Sequence, residues 1–350
     1  MLLSLLLPFF LTGCWDQKDP EDREYIITLG IDRAETGSRF RFAQANPPDE
    51  DAPEPYTAES ATLLGAVAQV DCSSSRQTDL GQLKTIIFSR DVLEGGDFSQ
   101  LLTELERSRT VSDKVMLLAT EDRAEDCVRA ALQEDSNTGM FLWDFYKNTA
   151  HQVAVTKAMD LDTFLTEWQE RGGCAVLPRI SVEGDKLRLG GGIAIGSGGG
   201  YPLEDREERG YLFLLGEAEG AILETEFEGT PIPLEIDRCK VRYAFSEGTD
   251  GRILCHISLP LEGGLLDGGG ISLSAAQKKK IAAHFSALVQ EEIRHTLEIA
   301  ARAGEDLYGI LPRLQQSAPA LAQGRSRAEL WAAMEFEIEP ELKLRDLCNP

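Results

Sequence analysis

The sequence predicts an α+β protein: a mixed α/β N-terminal region over 23–187, then, over 188–350, a C-terminal antiparallel sheet packed on a long amphipathic helix. Three observations predict it. Strand-like and helix-like segments alternate from Glu24 to Val182, the order that layered α/β architectures produce. Around Cys239–Phe245 and Ile253–Leu261, apolar and polar residues alternate with period two, as in half-buried antiparallel strands. From Ser274 onward, Ile281, Phe285, Leu288, Ile293, Leu297 and Ala300 fall on one face of a single long helix.

Glu24-Tyr-Ile-Ile-Thr-Leu-Gly-Ile-Asp32 is rich in β-branched residues and reads as a strand, paired across the turn Glu35–Ser38 with the alternating segment Arg39–Ala45. Asn46–Tyr56 contains Pro47, Pro48, Pro53 and Pro55 and reads as a loop, because proline can neither donate to a ladder nor continue a helix. Helix-like text from Ala58 to Val70 leads to a strand at Leu83–Ser89, a helix around Phe98–Arg107, a strand at Lys114–Ala119 and a helix at Arg123–Gln133. Asp162–Glu170 is a short amphipathic helix ended by Gly172-Gly173, and Ala175–Val182 returns to a strand. Leu189–Tyr201 is crowded with glycines but lacks the G-x-G-x-x-G spacing and the Lys-Ser or Lys-Thr of a phosphate loop; a short strand, Ile193–Ile195, flanked by turns, fits better. The acidic cluster Glu204–Arg209 fits a helix surface with charge pairs three or four apart, or a recognition site, and the structural role is preferred. Ser274 and Gln277 form a possible capping box for the long helix. The last strand carries Met334, Phe336, Ile338, Leu342 and Leu344, and its Pro340 suggests an edge position or a bulge.

A chain of 350 residues is long enough for two or three domains with their own cores. Against 35 basic residues stand 59 acidic ones, a net charge of -24 that opposes binding to nucleic acid and to anionic headgroups. Apart from Cys14 the cysteines are Cys72, Cys127, Cys174, Cys239, Cys255 and Cys348, too dispersed for a disulfide scaffold; reduced and mostly buried thiols are expected, with no Cys239–Cys255 bond because the two are not opposite in a hairpin centred near Gly248.

Catalytic constellations are sought without success. The four histidines are His151, His256, His284 and His295, and the last two are several turns apart on one helix, too distant to share an ion. Neither H-E-x-x-H nor C-x-x-C occurs, and Gly196-Ser197-Gly198 does not make a nucleophile elbow. No catalytic, cofactor-binding or metal-ligating residue is assigned, and no cofactor is expected.

The start of the chain is more informative. The apolar run Met1–Gly13 is shorter than the about 20 residues of a spanning helix and suits a secretory signal, although its lack of Lys and Arg fits a start of translation further upstream. Leu11-Thr12-Gly13-Cys14 has the form of a bacterial lipobox, in which the Cys14 thiol takes diacylglycerol. Residues 1–13 are thus expected to be a lipoprotein signal peptide and 14–22 a polar tether.

Gly13-Cys14-Trp15-Asp16, followed by a strand ending Leu29-Gly30-Ile31-Asp32, resembles the Ger(x)C lipoproteins, the C subunits of nutrient receptors in endospore-forming bacteria. Leu80–Ser89, Gly192-Ile-Ala-Ile195, Glu207-Glu-Arg-Gly-Tyr211, the long helix, the Trp331 segment and the closing strand resemble other pieces of that family in the same order. Departures are the uncharged signal, the glycine expansion Gly196–Gly200 and an end at Cys348-Asn349-Pro350 in place of a basic tail. The resemblance implies a non-catalytic germinant receptor subunit. Diacylglycerol on Cys14 would hold it to the outer face of the spore inner membrane, beside integral-membrane subunits of the GerA and GerB types. Two other readings stay open: a solute-binding lipoprotein of a transporter, which should show two similar lobes around a hinge, and an extracytoplasmic lipoprotein enzyme, which should show a polar cleft of perturbed carboxylates.

Overall fold

The computed structural model describes residues 20–44, 55–134, 138–148, 154, 156–184, 186–227, 229–266 and 274–345. Cys14, Cys348, His151 and most of the expected proline-rich loop lie outside them.

Strand β1 (Arg23–Arg33) pairs antiparallel with β2 (Ser38–Gln44), Ile31 opposite Phe40. Residues 56–60, part of which reads as helical in the sequence, instead form β3 (Tyr56–Ser60), held on β2 by the Arg39–Glu59 ion pair at 2.6 Å and by the Arg41–Thr57 contact. Cross-strand pairing outweighs local helix propensity there. Helix α1 (Leu63–Asp71) starts only after Thr62, whose hydroxyl accepts the Gly65 N–H at 3.0 Å. β4 (Gln77–Asp79) lies beside the start of β1; β5 (Thr85–Ser89) is parallel to β1, β6 (Met116–Thr120) to β5 and β7 (Ala175–Glu183) to β6. β8 (Lys186–Gly196) and β9 (Gly199–Leu203) extend the sheet antiparallel, giving nine strands with the order β3-β2-β1-β5-β6-β7-β8-β9 and β4 on the side of β1.

Among the described residues the helices of this half are α1, α2 (Arg90–Leu93), α3 (Phe98–Arg107), α4 (Ala124–Glu134), α5 (Thr138–Asn148) and α6 (Leu161–Glu170). The pleat decides where they sit. Ile86, Phe88, Leu117 and Ala119 point to one face, shared with α1, α2, α3 and α6, while Ile87, Met116 and Leu118 point to the other, shared with α4 and α5. Both faces are therefore apolar and covered, which explains the continuous hydrophobic runs of β5 and β6.

The glycine-rich stretch is a hairpin: Ile193–Ile195 belongs to the eleven-residue β8, which runs on through Gly190–Gly192 where a turn was expected, and the turn that follows it, at residues 197–198, leads into β9. Its register shifts near Gly190-Gly191, and Gly191, at φ +72°, brings the backbone against the Leu203 carbonyl and the Arg179 guanidinium, where any side chain would collide.

Helix α7 (Asp205–Leu215) leads into the second layer: β10 (Ile222–Phe227), β11 (Thr230–Cys239), β12 (Arg242–Glu247), β13 (Ile253–Leu265), α8 (Ala275–Ala303), α9 (Ile310–Ser317), α10 (Pro319–Ala322), α11 (Arg327–Ala332) and β14 (Met334–Leu344). The expected hairpin is present, with Phe245 opposite Cys255, but Cys239 ends β11 instead of starting β12 and faces Leu261. β14 runs parallel to β13 at the edge and tolerates Pro340 there. The capping box of α8 forms as read, and its buried stripe is Ile281, Phe285, Val289, Ile293, Leu297 and Ala300, with Val289 taking the place expected for the half-buried Leu288. Burial of each large side chain in that stripe contributes about 1.5–3 kcal/mol, which holds the helix to the sheet.

Candidate functional site

The residues with the most unusual surroundings lie on α7, in the segment Glu207-Glu-Arg-Gly-Tyr211. Its first turn is acidic, as a helix N-terminus favours, and Tyr211-Leu-Phe-Leu214 that follows is wholly buried. A helix that is polar at one end and apolar all round at the other must pass through the interior, and α7 does so between β8 of the first sheet and α8 of the second layer.

Each residue of the segment then meets a different neighbour. Glu208 has none of its surface exposed; its Oε1 accepts from the Thr156 hydroxyl at 3.2 Å and from the Lys157 backbone N–H at 3.3 Å, while its Oε2 faces Gly192 without a hydrogen-bond partner. Burial pushes its carboxyl up to about 7. Arg209 forks onto the carboxylate of Glu292 on α8, Nε to Oε2 at 2.9 Å. At Gly210 a β-carbon would lie 2.7 Å from the Glu292 carbonyl oxygen and closer still to the Thr296 hydroxyl, so only glycine lets the two helices approach this far. Tyr211 accepts from Arg171 Nη1 at 3.2 Å and packs against Tyr308, ring centroids 5.4 Å apart; Tyr308 in turn donates to the Thr296 carbonyl at 3.0 Å. Arg171 pairs with Glu167, which also holds Lys157, and its own carbonyl accepts from Arg327 Nη2 at 2.7 Å. This is a joint: polar groups of both halves close on one another away from water, locking α6, α7, α8 and α11 together.

The other family-like segment has an equally local explanation. Asp32, at the end of β1, accepts the first N–H groups of α4, Ala124 at 2.7 Å and Glu125 at 3.0 Å, and Gly30 clears the space into which Val128 of α4 packs. Burial raises the Asp32 carboxyl, and the two backbone donors pull it back.

Cys14, the residue singled out for lipid attachment, lies outside the described residues. Cys127, Cys174, Cys239 and Cys255 are buried and free, and Cys72 is exposed and free. Burial pushes the Cys127 and Cys255 thiols up to about 12, far from a reactive thiolate. His284 meets the Thr225 hydroxyl at 2.7 Å and His295 lies between Glu291 and Glu298. His256, half-buried, is flanked by the exposed Glu337 at 3.2 Å and Glu339 at 3.3 Å, a trio of metal-ligand types in which each ring nitrogen already faces a carboxylate. Away from the joint, an apolar groove of about 1170 Å³ runs between α1, α3 and β4. Glu208 is interior and not part of a helix surface; Gly210 followed by Tyr-Leu-Phe-Leu directly behind the acids of Glu204–Arg209 is the sequence signal that the helix turns inward.

Comparison with known proteins gives this geometry its context. Residues 16–182 match the family described as spore germination protein N-terminal domain, and residues 201–347 match spore germination B3/GerAC like, C-terminal. The chain belongs to the GerAC-type spore germination protein family. It is 21% identical to spore germination protein KC of Bacillus subtilis (strain 168), over 98% of this chain and 91% of that protein. It is 24% identical to spore germination protein GerQC of Bacillus cereus over 54% of this chain, spanning about half (53%) of that relative's length. The fold is similar to the crystal structure of the GerBC protein, with a TM-score of 0.61 and 15% identity, covering 91% of this chain and 97% of that one. α7 falls near the start of the second family match, the residues that close the joint around it come from both matches, and the Asp32 cap falls in the first.

Proposed function

We propose that this family member is the lipid-anchored, non-catalytic C subunit of a nutrient germinant receptor. It would be held by diacylglycerol on Cys14 to the outer face of the spore inner membrane and act with integral-membrane subunits of the GerA and GerB types. The observation that carries the reading is the pair of family matches running in order along the chain. No helix among the described residues is long and apolar enough to cross a membrane, so an acylated cysteine supplies a reason for the chain to stay at one. Two acyl chains hold stably where one does not, and confinement to the membrane raises the effective concentration near membrane partners.

The geometry supports a binding role over a chemical one. Glu208, the carboxyl with the clearest upward shift, is sealed inside the joint and not set in a cleft. The two layers also differ in strand number and topology, unlike the paired lobes of a solute-binding protein.

The test is affinity purification from detergent-solubilised spore membranes with mass spectrometry of the N-terminal peptide. GerA- and GerB-type subunits together with a diacylated Cys14 are expected; transporter permeases, or a lipidated chain with no membrane partner, would sink the proposal. Cys14→Ala should leave the fold intact and release the protein from membranes, and a variant that stayed bound without detergent would show that the lipid is not the main attachment.

A further inference from the structure

The groove between α1, α3 and β4 is the described surface whose composition least fits exposure to water. Leu63 and Leu80 form its floor, Val67 its half-buried wall, and Leu64 stands 79% exposed at its rim, although few large apolar side chains among the described residues are exposed. Its charges are unbalanced in an informative way. The two acidic residues that line it are occupied: Asp79 pairs with Arg23 at 2.5 Å, and Glu104 accepts the Leu63 N–H at 2.9 Å. The two arginines of the far rim, Arg107 and Arg109, are exposed and make no ion pair with the described residues. A chain with a net charge of -24 thus leaves two arginines uncommitted beside an apolar trough.

The groove also lies where the N-terminal segment enters the fold. Arg23 lines it, and the short turn Pro20–Asp22 leads directly into that residue. Immediately upstream the sequence reads Cys14-Trp-Asp-Gln-Lys-Asp19, one large aromatic residue followed by Asp16 and Asp19. From Arg23 an extended chain reaches Trp15 over about 27 Å, against about 15 Å for the length of α3, so the aromatic residue can reach any part of the trough. An apolar anchor with flanking carboxylates matches an apolar trough with flanking guanidinium groups, by area and by charge.

We propose that the groove is the seat of the chain's own residues 14–19, with the Trp15 indole covering Leu64 and Val67, and Asp16 and Asp19 meeting Arg107 and Arg109. The segment then acts as a strap and not a free leash: it fixes which face of the body is turned toward whatever holds residue 14. The seat itself does not depend on lipid attachment.

Trp15 fluorescence tests this. Among the described residues the three hydrophobic clusters contain none before Ile26, so the polypeptide from residue 14 onward, carrying Cys14→Ser, keeps all of these side chains and removes lipid from the measurement. Subtracting the Trp15→Phe spectrum isolates Trp15 from the other three tryptophans. A blue-shifted emission protected from acrylamide is expected. Leu64→Asp should abolish that protection, as should Arg107→Glu combined with Arg109→Glu, while Asp16→Lys with Asp19→Lys in the charge-reversed background should restore it. Far-UV circular dichroism verifies that each variant folds; Leu64, Arg107 and Arg109 are exposed and leave the cores untouched. Trp15 emission that is fully quenched and indifferent to these changes would overturn the proposal. So would protection that varies with protein concentration, which assigns the groove to a second copy, or protection that appears only on adding vesicles, which assigns Trp15 to the bilayer. Loss of the membrane-subunit association described above, with Trp15 still protected, would leave the seat standing and count against the receptor reading alone.

Discussion

Replacing Glu208 by glutamine isolates the cost of a carboxyl sealed inside the joint. Its ordinary value of 4.5 is raised to about 7 by burial. Below pH 4.5 the group is protonated in both folded and unfolded chains, so it adds no pH-dependent penalty. Between 4.5 and about 7 the unfolded chain is already ionised while the folded chain still holds its proton, and folded stability falls as pH rises. Above that window both forms are ionised and the loss is complete; at 1.36 kcal/mol per pH unit it amounts to about 3 kcal/mol. Glutamine is neutral throughout, and any constant effect of placing its amide where Oε2 had no hydrogen-bond partner cancels between pH values. Urea unfolding of both proteins at pH 4, 6 and 8 measures the difference. The stability of Glu208→Gln relative to the parent should increase by about 3 kcal/mol from the acid to the alkaline end. A gap that stays constant across the range would refute the reasoning, because the carboxyl would then titrate alike in the folded and unfolded chains.

The remaining predictions concern the same joint and its counterpart at β1. Arg209→Met strands the Glu292 carboxylate, 1% exposed, and should cost about 3–5 kcal/mol in urea unfolding, with most of the loss recovered in the double variant Arg209→Met, Glu292→Met. Gly210→Ala gains about 1 kcal/mol of helix propensity yet forces α7 off α8, so a net loss of about 1–2 kcal/mol is expected from the unfolding midpoint; a stabilised variant would contradict the close approach. Asp32→Ala removes the acceptor of two N–H groups at the start of α4 and should cost about 1–3 kcal/mol, with faster amide exchange confined to Ala124 and Glu125 at first.

How much of this was readable beforehand depends on the range of the forces involved. Period-two alternation and the capping box are local, and β12, β13 and α8 formed close to where they were read. Tyr56–Ser60 was misread because its strand identity comes from Arg39 and Arg41, whose side chains meet it only after β2 has folded back. Ile193–Ile195 is a strand and a turn follows it, but the turn expected before it is strand as well, because Gly190–Gly192 look like a turn when only their flexibility is considered. Here they are absences of side chains, shaped by Arg179 and by a carboxylate of α7 that the sequence places far away. For the joint, the motif Glu-Glu-Arg-Gly-Tyr was visible, but the partners that make Glu208 unusual come from residues 156, 157 and 192. A linear reading had no means of bringing these together.

β13 is flanked along Ile253–Gly263 by β14 on one edge, and on the other by β12 for its first half and β11 for its second. Ile253 therefore waits for Met334, and the intervening chain includes the whole of α8. While the polypeptide is being synthesised, this half has an unpaired strand edge until its final strand emerges, the condition under which foreign strands add on. The late, long-range closure makes it the slow half to mature, and the N-terminal layer, whose sheet is complete by Leu203, has the opportunity to fold first.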